Sequence, residues 1–346
     1  MKALKYASVF SFPLAIYFSF TLSGWLTFLP LIYAFVFIPI MEQVIKGSSS
    51  NLNRLESEIL KEDKIYDFLL YLISLTYLGQ LFWFLFAIQE PGLTGLEITG
   101  RILSMGLLIG VCCINVAHEL GHRHEKFDRF LSQVLLWSTQ YTHFYIEHNQ
   151  GHHKNVSTQE DPASARKGEV LYFFWLRSIV FSYLSAWKIE LKNLERKKKG
   201  FFSRHNNMLF YTLLQAALIF CIYWFFGTSV LVYYVLASLI GIVFLETINY
   251  IEHYGLARKR VNEFRYENTM PWHSWNSNHF LGRMLLFELT RHSDHHYEPS
   301  KKYQILDSHE KAPTLPLGYP GSMLLSMLPP LWFFVMHREI KKIPQS

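Results

Sequence analysis

Cysteine is scarce in this chain: Cys112, Cys113 and Cys221 are the only ones among 346 residues. All three sit in apolar runs, so neither a disulfide framework nor a thiolate metal cluster is encoded, and each reads as an inert packing residue. Positive charge is missing from long tracts. Lys and Arg are absent from Tyr6 to Ile45, from Ile65 to Gly100, from Ile102 to Glu119 and from His205 to Ala257. No internal repeat or low-complexity tract is evident either.

Half of the residues are hydrophobic and 17% are aromatic. They are clumped rather than periodic, and uncharged runs long enough to cross ~30 Å of hydrocarbon fall inside the tracts that lack Lys and Arg. Six spans are expected: Ser8 to Ser23, Trp25 to Ile45, Phe68 to Ile88, Ile102 to Ala117, Met208 to Phe226, and Ser229 to Tyr250. The first has no small-residue cleavage site and a second apolar run follows at once, so a retained segment is expected rather than a removable signal peptide. The expected fold class is an all-α integral membrane protein, one membrane domain over 1–346. Spans one to four occupy 6–117, an interfacial segment 118–206, spans five and six 207–252, and a polar C-terminal segment 253–346.

The net charge of +6 suits no nucleic-acid partner, because the basic residues sit in particular loops. They alternate: basic before span one, none at Ser23-Gly24, four between Lys46 and Lys64, one between Gln89 and Arg101, many from Arg123 to Arg204, none at Gly227-Thr228, and basic again from Arg258. The positive-inside rule then places both termini and both large polar segments in the cytoplasm. Runs at Phe130 to Tyr145 and Val170 to Trp187 are expected to lie at the interface. Phe280 to Thr290 looks helical, and Ser322 to Met336 is too short and broken at Pro329-Pro330 for a seventh span.

Sixteen histidines are present, fourteen of them between His118 and His296. They cluster as His118-x3-His122 in HELGH, His148-x3-His152-His153 in EHNQGHH and His292-x2-His295-His296 in RHSDHH, with His253 ending span six in NYIEHYG. HELGH alone matches the H-E-x-x-H pattern of a zinc peptidase, with Glu119 as general base. Residues three or four apart share a helix face, so each cluster can aim two imidazoles at one point, the third being offset by about 100°. Eight clustered histidines exceed the roughly three protein ligands of one catalytic zinc. Two metals are the economical reading, and imidazole suits Fe, Zn, Cu or Ni alike.

The set HELGH, EHNQGHH, NYIEHYGL and RHSDHH resembles the integral-membrane alkane 1-monooxygenase family, the AlkB-type alkane hydroxylases within the fatty acid desaturase and hydroxylase superfamily. The likeness extends to STQEDPASAR (157–166), HSWNSNHF (273–280) and LPLGYPGSMLLSMLPPLW (315–332), and covers about 102–336. It implies six transmembrane helices with a cytoplasmic histidine-rich cap around a non-haem diiron site. The ligands would be His118, His122, His148, His152, His153, His253, His292, His295 and His296. It also implies a bacterial inner-membrane enzyme that takes n-alkane from the bilayer and one atom of O2. Its electrons would come from a separate rubredoxin and rubredoxin reductase. Scarcity of cysteine fits an external donor. Gln150 and Arg123-His124 depart from the family pattern.

Ligating imidazoles usually donate their other N–H to an acceptor. Glu119, Glu147, Asp161, Glu252 and Asp294 are candidates, Glu252 and Asp294 foremost, and His143 fits a supporting role better than a tenth ligand. Rival readings are a desaturase or alkyl-aromatic methyl hydroxylase with the same metal logic, an H-E-x-x-H zinc membrane protease, and a non-enzymatic receptor or scaffold. The protease leaves two clusters and His253 unexplained. A scaffold needs none of them.

Overall fold

The computed structural model describes residues 2–263 and 265–343. Helices dominate, and five are long and apolar enough to cross a membrane: α1 (Lys2–Thr21), α2 (Gly24–Val44), α4 (Ile65–Ala87), α5 (Gly95–Gly121) and α9 (Asn207–His253). A short polar helix, α3 (Arg54–Glu62), opens on a capping box between Asn53 and Glu56. Large apolar side chains such as Leu75, Phe82, Trp224 and Phe225 are exposed on the long helices. Water would make that surface costly and lipid makes it favourable. The chain is an integral membrane protein.

At ~1.5 Å per residue a continuous α9 would exceed twice the ~30 Å hydrocarbon thickness. Its helix is broken at Gly227, which has φ 82° and ψ 178°, a backbone conformation open to glycine. The break falls between the two spans expected here, Met208 to Phe226 and Ser229 to Tyr250.

The chain folds into two compact units that alternate along the sequence. The first comprises Met1–Tyr33, Ile65–Asn149 and Tyr183–Leu245, and the second Ala34–Lys64, Gln150–Ser182 and Glu246–Ser346. In the first unit α5 is the most enclosed span, with 83% of its apolar window buried. Its start is fixed by a capping box between Thr94 and Glu97, and the other Glu97 oxygen accepts the Gly24 N–H at 2.9 Å. Ser104 adds a hydroxyl bond to the Thr27 carbonyl at 2.8 Å. Further along, a methyl group placed on Gly106 would run into Ile240, and one on Gly241 into Ile109. Small residues thus let the α5 and α9 backbones approach closely, as membrane helices do where packing replaces the hydrophobic drive. Gly106→Leu is expected to cost ~1–3 kcal/mol or more through overpacking. Thermal unfolding in detergent checks this; an unchanged melting temperature would contradict it.

α6 (Lys126–Trp137) packs beside the end of α5, where the Ser132 hydroxyl bonds the Ala117 carbonyl at 2.6 Å. The amphipathic run expected from Phe130 to Tyr145 is interrupted. Gln140 takes a left-handed φ of 61°, Tyr141 N–H closes onto the Leu136 carbonyl, and a new helical segment, α7, runs over 143–155. The run expected from Val170 to Trp187 belongs to a longer helix, α8 (Leu171–Arg196).

The second unit carries short elements: α10 (Phe280–Leu285), α11 (His292–Tyr297), α12 (Tyr319–Ser326) and α13 (Pro329–Lys342). The helix expected over Phe280 to Thr290 stops at Leu285 because Phe287 and Glu288 are left-handed, with φ of 52° and 55°. Glu288 accepts from Arg283 Nε at 2.6 Å and fixes that reversal. Among the described residues, an antiparallel ribbon of β1 (Arg260–Asn262) and β2 (Arg265–Tyr266) and an isolated bridge between Asn276 and Thr314 depart from the all-α expectation. Arg258 braces it by donating to the Glu267 carbonyl from Nε at 2.9 Å and to the Lys154 carbonyl from Nη1 at 2.9 Å.

Candidate metal centre

Within the first unit, α5 delivers His118 and His122 one turn apart, and α7 delivers His148. One ring nitrogen of each lies within 4.8 Å of the others. The His122 and His148 Nε2 atoms are 3.2 Å apart. Phe144 stacks on the His148 ring with centroids 4.7 Å apart and planes 22° from parallel, which restrains the imidazole from an adjacent turn.

Within the second unit, His152, His253, His292 and His296 are all buried and their converging nitrogens lie within 4.8 Å of one another. Nε2 of His152 is 3.2 Å from that of His296, and Nε2 of His292 is 3.2 Å from that of His253. His153 and His295 lie beside this set, with ring centroids 4.9 Å apart.

The expectation that His148 and His152 aim at one point fails. Residues 148–152 form a π-helical turn, and the two rings meet different partners. His148 faces His118 and His122, whereas His152 faces His253, His292 and His296. A second π-helical turn, Ile109–Ile114, precedes HELGH in α5. In the third cluster, the i, i+4 partners His292 and His296 do share a point, and His295 turns toward His153 instead.

These histidines fit metal ions. A neutral imidazole pair can share one proton, but four inward-facing nitrogens cannot satisfy one another by hydrogen bonding. Two nitrogens each ~2.1 Å from a shared first-row ion stand ~3.0–3.4 Å apart, which is the observed spacing. Burial first, and then crowding by His292, His153, His152 and His253, push the His296 pKa well below its usual value. That leaves the neutral, ligating form of the ring, and its Nδ1 is buried without a hydrogen-bond partner.

The candidate supporting residues differ in what they touch. Asp161, from a turn with no sequence spacing to mark it, accepts from His152 Nδ1 at 2.9 Å, on the ring edge away from His296. Ser164 bonds the same carboxylate at 2.5 Å and the Ala163 N–H adds a bond at 3.0 Å. Burial raises the Asp161 pKa, but the facing His152 and these bonds outweigh it and hold the group down, as a carboxylate. Glu252 Oε2 lies 3.2 Å from His292 Nε2, the inward nitrogen rather than the outer one. Its Oε1 takes the Tyr319 hydroxyl at 2.6 Å. Glu119 Oε1 receives two Arg123 nitrogens at 2.9 and 2.6 Å, and Arg123 also reaches Asp67 at 3.1 Å. Glu147 accepts from Ser185 at 3.3 Å.

Asp294 bonds His309, Lys301 and the Asp307 N–H, none of them a clustered histidine. His143 belongs to neither set. Its ring meets Tyr141 and Tyr183, its Nε2 is buried without a hydrogen-bond partner, and burial pushes its pKa down to about 4. Arg291, Ser164, Tyr319 and Phe144 escaped sequence reasoning. Arg291 ties the start of α11 to the carbonyls of Leu306 and Ser50. Arg291 and Phe144 flank His292 and His148 by one and four residues, while Ser164 and Tyr319 lie inside the stretches 157–166 and 315–332 with no role marked for them.

Membrane-length helices and buried, converging imidazoles define a membrane protein with histidine clusters consistent with metal binding. The fatty acid desaturase profile matches residues 98–321. An alkane 1-monooxygenase of Acinetobacter baylyi is 39% identical over 307 residues, which is 88% of this chain and 74% of that protein. One of Pseudomonas putida is 36% identical over 313 residues, 90% and 77% of the two chains. The xylene/toluene monooxygenase hydroxylase component XylM of Pseudomonas putida is 30% identical over 246 residues, 71% of this chain and 64% of that one. The chain belongs to the fatty acid desaturase family.

Proposed function

We propose that this protein is a non-haem diiron monooxygenase that converts medium- to long-chain n-alkanes into 1-alkanols. The observation that carries the reading is two converging imidazole sets, His118, His122 and His148 in the first unit and His152, His253, His292 and His296 in the second, each of which would hold one ion. His153 and His295 make up the proposed nine ligands. When bound, the two irons would supply activation of O2 and insertion of one oxygen atom into a terminal C–H bond. The identities of 35–39% to alkane 1-monooxygenases favour this over aromatic methyl hydroxylation, the second reading, which the weaker likeness to XylM supports.

The chain's own residues have definable tasks. A saturated hydrocarbon offers no polar handle, so apolar helices must position its methyl group by shape while excluding water. Six membrane crossings, two of them from α9, provide those walls, with the histidines on the cytoplasmic side of the bacterial inner membrane. Asp161 fixes the His152 ring through Nδ1 and raises the donor strength of Nε2. Glu252, held by Tyr319, keeps a carboxylate oxygen beside His292. The reaction takes alkane, O2, two electrons and two protons to alcohol and water. Three cysteines, two of them adjacent, are too few for a four-thiolate iron centre, so an external donor would supply the electrons, and rubredoxin served by its reductase is the donor proposed here.

Membranes containing the protein, supplied with rubredoxin, its reductase, NADH and a ladder of n-alkanes, should yield 1-alkanols. Product from xylene but from no alkane would favour the second reading. Glu119→Gln separates both from a zinc peptidase. Glu119 is engaged by Arg123, so the variant should keep measurable hydroxylation within the ~10–100-fold loss typical of an outer hydrogen-bond partner. Total loss with both irons retained would contradict the role given to Glu119.

A further inference from the structure

Between α8 and α9 the chain reads Arg196-Lys197-Lys198-Lys199-Gly200-Phe201-Phe202-Ser203-Arg204. All five cations are exposed. Phe202 is 88% exposed, the highest value for a large hydrophobic side chain among the described residues.

This display is built. Lys198 adopts φ 52° and reverses the chain, with Lys198 N–H on the Glu195 carbonyl and Lys199 N–H on the Leu194 carbonyl, both at 2.9 Å. Buried Asn206 donates to the Phe201 carbonyl at 2.9 Å and accepts the Leu209 N–H at 3.0 Å. Buried Glu190 accepts the Asn207 N–H at 2.7 Å. Phe201 stacks on Trp187, with centroids 5.8 Å apart and planes 11° from parallel. Trp187 in turn packs on the core of Ile146, Ala186, Met208 and Tyr211. The loop is held at both ends and Phe201 is braced on Trp187 while still 45% exposed, whereas Phe202 stands almost fully free in the same cationic loop.

An exposed aromatic calls for an apolar occupant, and five surrounding cations call for an anionic one. The membrane-length helix α9 begins at Asn207, three residues beyond Arg204, so the loop sits at a bilayer surface. Clusters of four to eight Lys or Arg beside a transmembrane helix favour anionic lipid headgroups. We propose that residues 196–204 form an anionic phospholipid site, in which the cations take the lipid phosphates and Phe202 inserts among the acyl chains below them. The site does not depend on metal or on the oxygenase reading.

The test uses the full-length protein in nanodiscs of phosphatidylcholine alone or with phosphatidylglycerol, read by hydrogen exchange of the amides in 196–206. Exchange is expected to slow several-fold with phosphatidylglycerol at low salt. The effect should fade near ~1 M salt, where charges are screened beyond ~3 Å. Combined Lys197→Gln, Lys198→Gln and Lys199→Gln should remove the phosphatidylglycerol dependence. Phe202→Ser should remove the slowing at 201–203. Both variants alter only exposed side chains and should melt as the parent does. Equal exchange in the two lipids would overturn the proposal, as would protection that arises only on adding an acidic soluble protein.

Discussion

Replacing His253 by alanine is expected to abolish hydroxylation while the protein still folds. His253 ends α9 and is fully buried. Its ring centroid lies 4.9 Å from His152, 5.0 Å from His292 and 5.1 Å from His296. It therefore touches every other histidine of the four-membered set, and no neighbour can substitute for it. Outer hydrogen-bond partners of ligands are worth ~10–100-fold in affinity or activity, so loss of the imidazole itself should cost more than ~100-fold. Bound iron should fall from two per chain toward one, since the His118, His122 and His148 set is untouched. Circular dichroism and gel filtration in detergent would show that the helices persist. Full activity in this variant would confine the site to the other histidines.

Arg123→Ala should be the most destabilising single change at the edge of the candidate centre. The guanidinium and the Glu119 and Asp67 carboxylates are nearly inaccessible to water. Burial lowers the Arg123 pKa, but the two carboxylates outweigh it and the net shift is upward, so the cation stays charged. Removing one member of such a group strands buried charge at a cost of ~3–5 kcal/mol. Lys restores the charge without the forked geometry and should recover only part. Adding Glu119→Gln and Asp67→Asn to Arg123→Ala should recover much of the loss, because the stranded carboxylates are gone. Thermal unfolding of the four proteins checks the ordering. A melting temperature for Arg123→Ala equal to the parent's would show that the pairing contributes nothing.

Much of this was legible in the residues. The uncharged tracts located the long helices, with α1 starting six and α5 seven residues before the expected spans, since crossing hydrocarbon leaves few other sequence patterns. The helix-breaking pairs Ser23-Gly24 and Pro91-Gly92 coincide with left-handed backbone, with Gly24 at φ 61° and Gly92 at φ 86°. The same pattern did not show that His148 and His152 diverge. That divergence shows only in the partners each ring meets, which come from segments distant in sequence. Sequence adjacency was also a poor guide to hydrogen bonding. Asp294 adjoins His295 yet bonds Lys301 and His309, whereas Asp161, eight positions beyond the nearest clustered histidine, reaches back to His152. Such pairings arise when separate segments fold onto each other, and no short-range spacing records them. The left-handed residues Gln140, Phe287 and Glu288 likewise ended helical runs without glycine or proline to announce them.

Metal analysis of the purified protein, by mass spectrometry against protein concentration, decides whether the clustered histidines hold the two irons proposed for them. Close to two irons per chain and little zinc are expected. One zinc and no iron would rule out the diiron site.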